Sequence, residues 1–233
     1  MATTRTGGFG IGFRKGWSDW QKDINDVIAW AKANDFACVD VGGDVESVKA
    51  LRDAGLAVGS ADLIDFKDLI TADAQQRRAA VDQNLAMIEA VAGAGAKNFF
   101  TVMLPADPAL GREENFGYMV EAYRPLVDQC EKVGAKIVIE GYPGPGALCC
   151  TPETYRAMFD AIDSPALGVN YDPSHLVRMN VDYLRFLREF VDLVHHVHGK
   201  DTDFDDDAVY EYGTEQPRTF GTNVGFGGTF WRY

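Results

Sequence analysis

Three side chains able to bind a metal end three otherwise apolar runs in the second half of the chain. Glu140 closes Ile137-Val138-Ile139-Glu140, Asp172 follows Leu167-Gly168-Val169-Asn170-Tyr171, and His198 closes Leu193-Val194-His195-His196-Val197-His198. A buried, unpaired carboxylate is expensive, so Glu140 and Asp172 each require a cation or a dense set of hydrogen bonds. Two carboxylates and one imidazole that converge on a point suit a single Mn²⁺, Mg²⁺, Co²⁺ or Zn²⁺ ion, with positions left open for water or substrate oxygens. A carboxylate beside such an ion can remove a proton next to a carbonyl while the ion stabilises the enediolate. Alternate residues of a strand share a face, so His196 and His198 point together and His195 points away. His198, nearer the end of its run, is the expected ligand, with His196 one layer deeper. Each residue also has a plainer explanation: a salt bridge in the core for Glu140, a turn before proline for Asp172, packing for His195 and His196, a surface ion pair for Lys200-Asp201. Their shared position at the ends of successive runs favours the metal.

The elements that must bring these residues together alternate along the chain. Short apolar or β-branched runs fall at 9–13, 36–41, 57–63, 98–104, 136–140, 167–171 and 193–198, separated by stretches with helical apolar spacing. Ser18-Asp19-Trp20-Gln21 reads as a capping box, and Thr151-Pro152-Glu153 as a helix start with proline at the first helical position. Gly55, Gly95 and Gly134 each stand where a helix ends just before a strand. Pro125 predicts a kink or break in a helix over 113–133. Seven strands alternating with helices predict a parallel sheet. The first glycine-rich segment, Gly7-Gly8-Phe9-Gly10-Ile11-Gly12, lacks the dinucleotide-binding spacing, and the polar residues gather at strand C-terminal ends, so a barrel is favoured over an open doubly wound sheet.

The chain has 233 residues, 46% of them hydrophobic, enough for one domain with a sizeable core. With 35 acidic against 22 basic residues and a formal net charge of −13, it is a poor partner for nucleic acid or an anionic membrane. Neither a signal-type apolar stretch nor a membrane-length run is visible, which leads to the expectation of a cytoplasmic protein. Cys38, Cys130, Cys149 and Cys150 form no C-x-x-C pair and are expected to be reduced packing residues.

The motifs Val138-Ile139-Glu140-Gly141, Asn170-Tyr171-Asp172-Pro173-Ser174-His175 and His195-His196-Val197-His198-Gly199-Lys200-Asp201 resemble the sugar phosphate isomerase/epimerase family, the xylose-isomerase-like TIM barrels, over nearly the whole chain. The resemblance implies an α/β fold, a (β/α)8 TIM barrel, as one domain over 1–233. It implies Glu140, Asp172 and His198 as ligands of one divalent ion, Mn²⁺ first among the four. It further implies that Glu140 is one of two carboxylates moving protons at carbon and that His175 contacts a substrate hydroxyl. Tyr142 and Lys200 are expected to contact substrate too. The implied activity is isomerisation or epimerisation of a small sugar, phosphorylated or not, by a monomer or a homo-oligomer. Within the family some barrels cleave oxidised (3-keto) glycosides by β-elimination, where Tyr142 would serve as acid or base. Outside that chemistry stand a Schiff-base aldolase using Lys200 and a non-catalytic metal-binding subunit. Four histidines and the acidic charge argue against an endonuclease IV-type enzyme. The family's fourth ligand, a glutamate on strand eight, has no counterpart here. Seven strands leave two unpaired sheet edges, and the native chain is therefore expected to continue past Tyr233 into an eighth strand ending in that glutamate.

Overall fold

The computed structural model describes residues 8–212 and 229–232. Strands β1 (Gly12–Arg14), β2 (Cys38–Val41), β3 (Ala57–Asp62), β4 (Asn98–Val102), β5 (Lys136–Glu140), β6 (Leu167–Tyr171) and β7 (Val194–Val197) form one parallel sheet in chain order. Helices α1 (Ile24–Ala33), α2 (Val45–Asp53), α3 (Ala74–Ala94), α4 (Arg112–Val133), α5 (Pro152–Ala161), α6 (Pro173–Arg178) and α7 (Tyr183–Phe190) supply the crossovers. The sheet is curled like most of a TIM barrel: β2 and β7 are five places apart in the strand order, yet Asp40 and His196 meet at 3.0 Å across its concave side. β1 and β7 are its outermost strands. Strand β8 (Asp201–Phe204), helix α8 (Asp206–Tyr212) and strand β9 (Thr229–Arg232) come after β7, with β8 and β9 paired antiparallel in a separate two-stranded sheet. The aromatic residues near the C-terminus therefore pair back onto the segment after His198, while most of the glycine-rich stretch over 201–228 lies outside the described residues.

The helix signals mostly act as the sequence predicts. Thr151 caps α5 with a reciprocal capping box and Pro152 in its first turn. Gly55, Gly95 and Gly134 all adopt positive φ at the turn into the next strand. Aspartate is the commonest cap: Asp23, Asp44, Asp73, Asp172 and Asp182 each accept a backbone N–H in the first turn of a helix. Two expectations fail. Ser18 makes no side-chain cap and precedes only a single 3₁₀ turn, so the first α-helix starts later, on Asp23. Of the kink or break expected at Pro125, the break does not occur: α4 runs on past it, with the surrounding Ala122, Tyr123, Leu126 and Val127 buried against the core. All four cysteines are free thiols, three of them buried. Among the described residues no helix is long and apolar enough to cross a membrane.

Strand register shifts at two places in the sheet. Val39 pairs with Val58 and Val41 with Ala61, so β3 carries one extra residue opposite Asp40. Val169 pairs with Val194 and Asn170 with His196, so β7 carries an extra residue, His195, beside Gly168. A Cβ on Gly168 would collide with the His195 ring and lie 2.6 Å from the Leu193 carbonyl oxygen. Gly168→Ala should therefore force β6 and β7 apart, lowering stability by about 1–3 kcal/mol in urea denaturation.

Candidate active site

Glu140 is the last residue of β5, and its strand neighbours place it in a lateral row: Glu140 pairs in register with Asn170, and Asn170 with His196. Asn170 Nδ2 donates to Glu140 Oε2 at 2.8 Å, and because a carboxylate only accepts, this fixes which way the amide points. Asn170 Oδ1 then accepts from His196 Nδ1 at 2.9 Å. One residue further along β6, the chain turns into α6, and Asp172 becomes its N-cap. Asp172 Oδ1 accepts from both the backbone N–H and the hydroxyl of Ser174. Its Oδ2 is left for the site, 2.9 Å from Lys200 Nζ and 3.5 Å from His175 Nε2. His175 lies one turn along α6, fully enclosed, with Nε2 3.2 Å from Glu140 Oε1 and 3.4 Å from Lys200 Nζ. The Tyr142 ring meets the His175 ring edge-on, centroids 5.2 Å apart.

His198 completes the centre from the segment following β7. Its Nδ1 faces Glu140 Oε2 and lies 3.0 Å from Asn170 Nδ2; its Nε2 lies 3.3 Å from Asp40 Oδ2. The structure thus brings together all six residues singled out by sequence: Glu140, Tyr142, Asp172, His175, His198 and Lys200. It adds two that sequence reasoning passed over. Asp40, in β2, contacts both His196 and His198; the signal was present, since a carboxylate inside Cys38-Val39-Asp40-Val41 raises the same objection as Glu140. Asn170, two residues before Asp172 on the same strand face, links Glu140 to His196. Beyond His198, the Phe100 ring lies tilted to it with centroids 5.3 Å apart, and Arg14, paired to Asp62 at 2.6 Å, sits over the Phe100 ring.

The electrostatics follow from burying several acids together. Burial would raise the Glu140 carboxyl, but hydrogen bonds and charge from His175 and His198 outweigh it and hold it well below the usual carboxylate range. Asp40 behaves alike, with His196 and His198 overcoming burial. For His198 burial favours the neutral ring, yet Asp40 and Glu140 prevail and push its pKa up to about 9. The donor set fits a divalent cation. Glu140, Asp172 and His198 each offer a ligand atom within 4.8 Å of the others, and the buried Asp172 Oδ2 has no well-aligned hydrogen bond among the described residues. Asp40, His196 and His198 form a second such group, which shares His198.

A concave cluster of carboxylates and imidazoles at the C-terminal edge of a curled parallel sheet is the arrangement of a TIM-barrel enzyme site. Residues 22–232 match the family described as xylose isomerase-like TIM barrel, and the chain belongs to that family. It is 33% identical over 108 residues to the uncharacterised protein YfiH of Bacillus subtilis, a match spanning 45% of this chain and only 34% of that protein's length. Among solved structures, D-psicose 3-epimerase, determined in the presence of D-fructose, superposes with a TM-score of 0.70 at 16% identity, covering 82% of this chain and 72% of that one. The 3-keto-D-glucoside 4-epimerase YcjR of E. coli does so with a TM-score of 0.69 at 19% identity, covering 92% and 83%. At such identities the likeness is one of fold.

The raised pKa of His198 makes the metal-free protein sensitive to alkali. A group whose pKa rises on folding stabilises the fold fully below its unfolded value, near 6.5, and the contribution disappears as pH climbs through about 9. The lowered Glu140 and Asp40 act oppositely, their contribution fading only as acid protonates them. Chelator-treated protein should therefore lose urea resistance between about pH 7 and pH 9, and His198→Gln should flatten that slope.

Proposed function

We propose that this chain is a divalent-metal-dependent epimerase or isomerase of a small keto- or aldo-sugar, acting by proton transfer at the carbon next to a carbonyl. The observation that carries the proposal is the division of labour within Glu140. Oε2 faces His198 and Asn170, on the ligand side, while Oε1 faces the enclosed His175. Glu140, Asp172 and His198 would hold the cation, Mn²⁺ in the first instance, which supplies positive charge at the substrate carbonyl oxygen as the adjacent C–H bond weakens. The residues of this chain do the rest. Glu140, held ionised by its imidazole neighbours, would accept the proton on Oε1; its return to the neighbouring carbon gives isomerisation, whereas epimerisation needs a second proton donor on the opposite face of the same carbon. His175 and Lys200, converging on Asp172 and Glu140, are placed to donate to substrate hydroxyls and fix which carbon lies over Glu140. Support for the substrate class comes from the structural neighbours named as epimerases of D-psicose and of 3-keto-D-glucosides.

The placement of Tyr142 against His175 supports a second reading, β-elimination of a 3-keto-glycoside with the phenol as acid or base. Free aglycone released from such a glycoside would favour it; a new epimer with the glycosidic bond intact would favour the first.

Two measurements test the proposal. Elemental analysis of protein purified without chelator should find one divalent ion per chain, and Asp172→Ala should lose it; metal-free wild type would remove the site assignment. In deuterated solvent, D-psicose, D-fructose and 3-keto-D-glucosides serve as the panel, and wild type should exchange one C–H proton of its substrate by NMR. Glu140→Gln should slow that exchange by about 100- to 10,000-fold while keeping the fold. Metal retention without any exchange across the panel would instead favour a non-catalytic metal-binding subunit.

A further inference from the structure

We propose that Asp40 is the positioning residue of the centre: its carboxylate, seated against Gly59, holds His198 by Nε2 and leaves Nδ1 turned toward Glu140 for the cation. The inference rests on the metal-centre reading of Glu140, Asp172 and His198.

The two nitrogens of the His198 ring have different surroundings. An imidazole ligand offers a lone pair on one nitrogen, and what the other nitrogen bonds to decides which one that is. His198 Nδ1 faces the Glu140 side of the centre; Nε2 makes no well-aligned hydrogen bond among the described residues, and the carboxylate beside it, 3.3 Å away, is that of Asp40. With a cation at Nδ1 the ring's one N–H would sit on Nε2, beside Asp40. Asp40 comes from β2, on the far side of the sheet's curve from β5, β6 and β7, so it fixes the ring from outside the ligand row. Its other oxygen is committed too: Oδ1 lies 3.0 Å from His196 Nε2, and His196 Nδ1 passes the restraint to Asn170, whose amide holds Glu140 Oε2. One carboxylate thereby orients two of the three ligands, His198 directly and Glu140 through His196 and Asn170.

The backbone is shaped to admit it. Opposite Asp40, β3 bulges by one residue, and the two residues there are Gly59 and Ser60. A Cβ on Gly59 would collide with Asp40 Oδ1 and lie 3.0 Å from His196 Nε2. Asp40 is 6% exposed, so its carboxylate has no recourse to water and depends on the two histidines. Asp40, His196 and His198 also qualify by geometry as ligands of a second ion. Asn170 Oδ1 can only accept and so takes the His196 Nδ1 proton, which makes Nε2 the nitrogen that meets Asp40; the number of ions bound per chain separates positioning from ligation.

The test uses Mn²⁺ and Zn²⁺ as probes on the full chain. Asp40→Asn, isosteric but with one acceptor oxygen for two histidines, should bind Mn²⁺ about 10- to 100-fold more weakly than wild type, with one ion per chain in both. Gly59→Ala, which alters no charge, should weaken binding in the same direction, while Ser60→Ala, one residue along, should not. In Zn²⁺-loaded, ¹⁵N-labelled wild type the His198 proton should sit on Nε2 and exchange slowly with solvent; in Asp40→Asn the slow exchange should be lost together with Mn²⁺ affinity, a pairing that a purely structural ion pair would not produce. Unaltered Mn²⁺ affinity in a folded Asp40→Asn overturns the proposal. So does a wild type that binds two ions where the variant binds one, since Asp40 would then itself be a ligand. If Asp40→Asn does not fold, unaltered affinity in Gly59→Ala overturns it. A wild type that binds neither ion overturns the metal-centre reading, and this inference with it.

Discussion

Three carboxylates, Asp40, Glu140 and Asp172, are buried on the concave side of one parallel sheet, and the organisation of the site follows from the need to compensate their charge. Removing one partner from such a buried group costs several kcal/mol, more than a single surface contact returns. Each acid is accordingly met by nitrogen. Asp40 faces His196 and His198; Glu140 faces His175, His198 and Asn170; Asp172 uses one oxygen to cap a helix and turns the other to Lys200. His198 stands between two of the three, which is why its proton is held so firmly.

The sheet is regular where it only needs to close a core and irregular where it carries the site. The β4–β5 ladder runs in step over five pairs. The two register shifts fall beside Asp40 and beside His196, the residues that face one another across the curve. A bulge re-aims a side chain at the expense of a ladder bond, and in both places a glycine, Gly59 or Gly168, removes the side chain that the re-aimed group would otherwise strike. Asp40, Glu140, Asn170 and His196 are thus set by strand geometry, while Asp172 and His198 stand just past the strand ends.

This construction also explains how one glutamate can serve two ends. Strand register delivers Glu140 with one oxygen toward Asn170 and His198 and the other toward His175, a group on the next crossover helix. Family membership supplies the fold and the neighbourhood of sugar epimerases.

Much of this was legible in the residues. Apolar runs bounded by helical spacing marked the seven strands, positive-φ glycines marked three helix ends, and a lone polar residue at the end of an apolar run marked Glu140, Asp172 and His198, because local pattern is sufficient when the signal is burial itself. The alternation rule separated His196 and His198 from His195 correctly. Ser18 misled because a cap pattern says nothing about whether the turn it opens has an apolar face to continue it, and Pro125 misled because tertiary packing sustains a helix that the local rule would end. Asp40 and Asn170 went unweighed for another reason. Asp40 is 156 residues from His196 in the chain, and only the curl of the sheet brings them into contact. The sequence by itself determined which residues needed partners, since desolvation acts on each side chain alone. Which partners they obtained was decided by the tertiary structure, since strand register, bulge and curvature set the distances between groups that the chain keeps far apart.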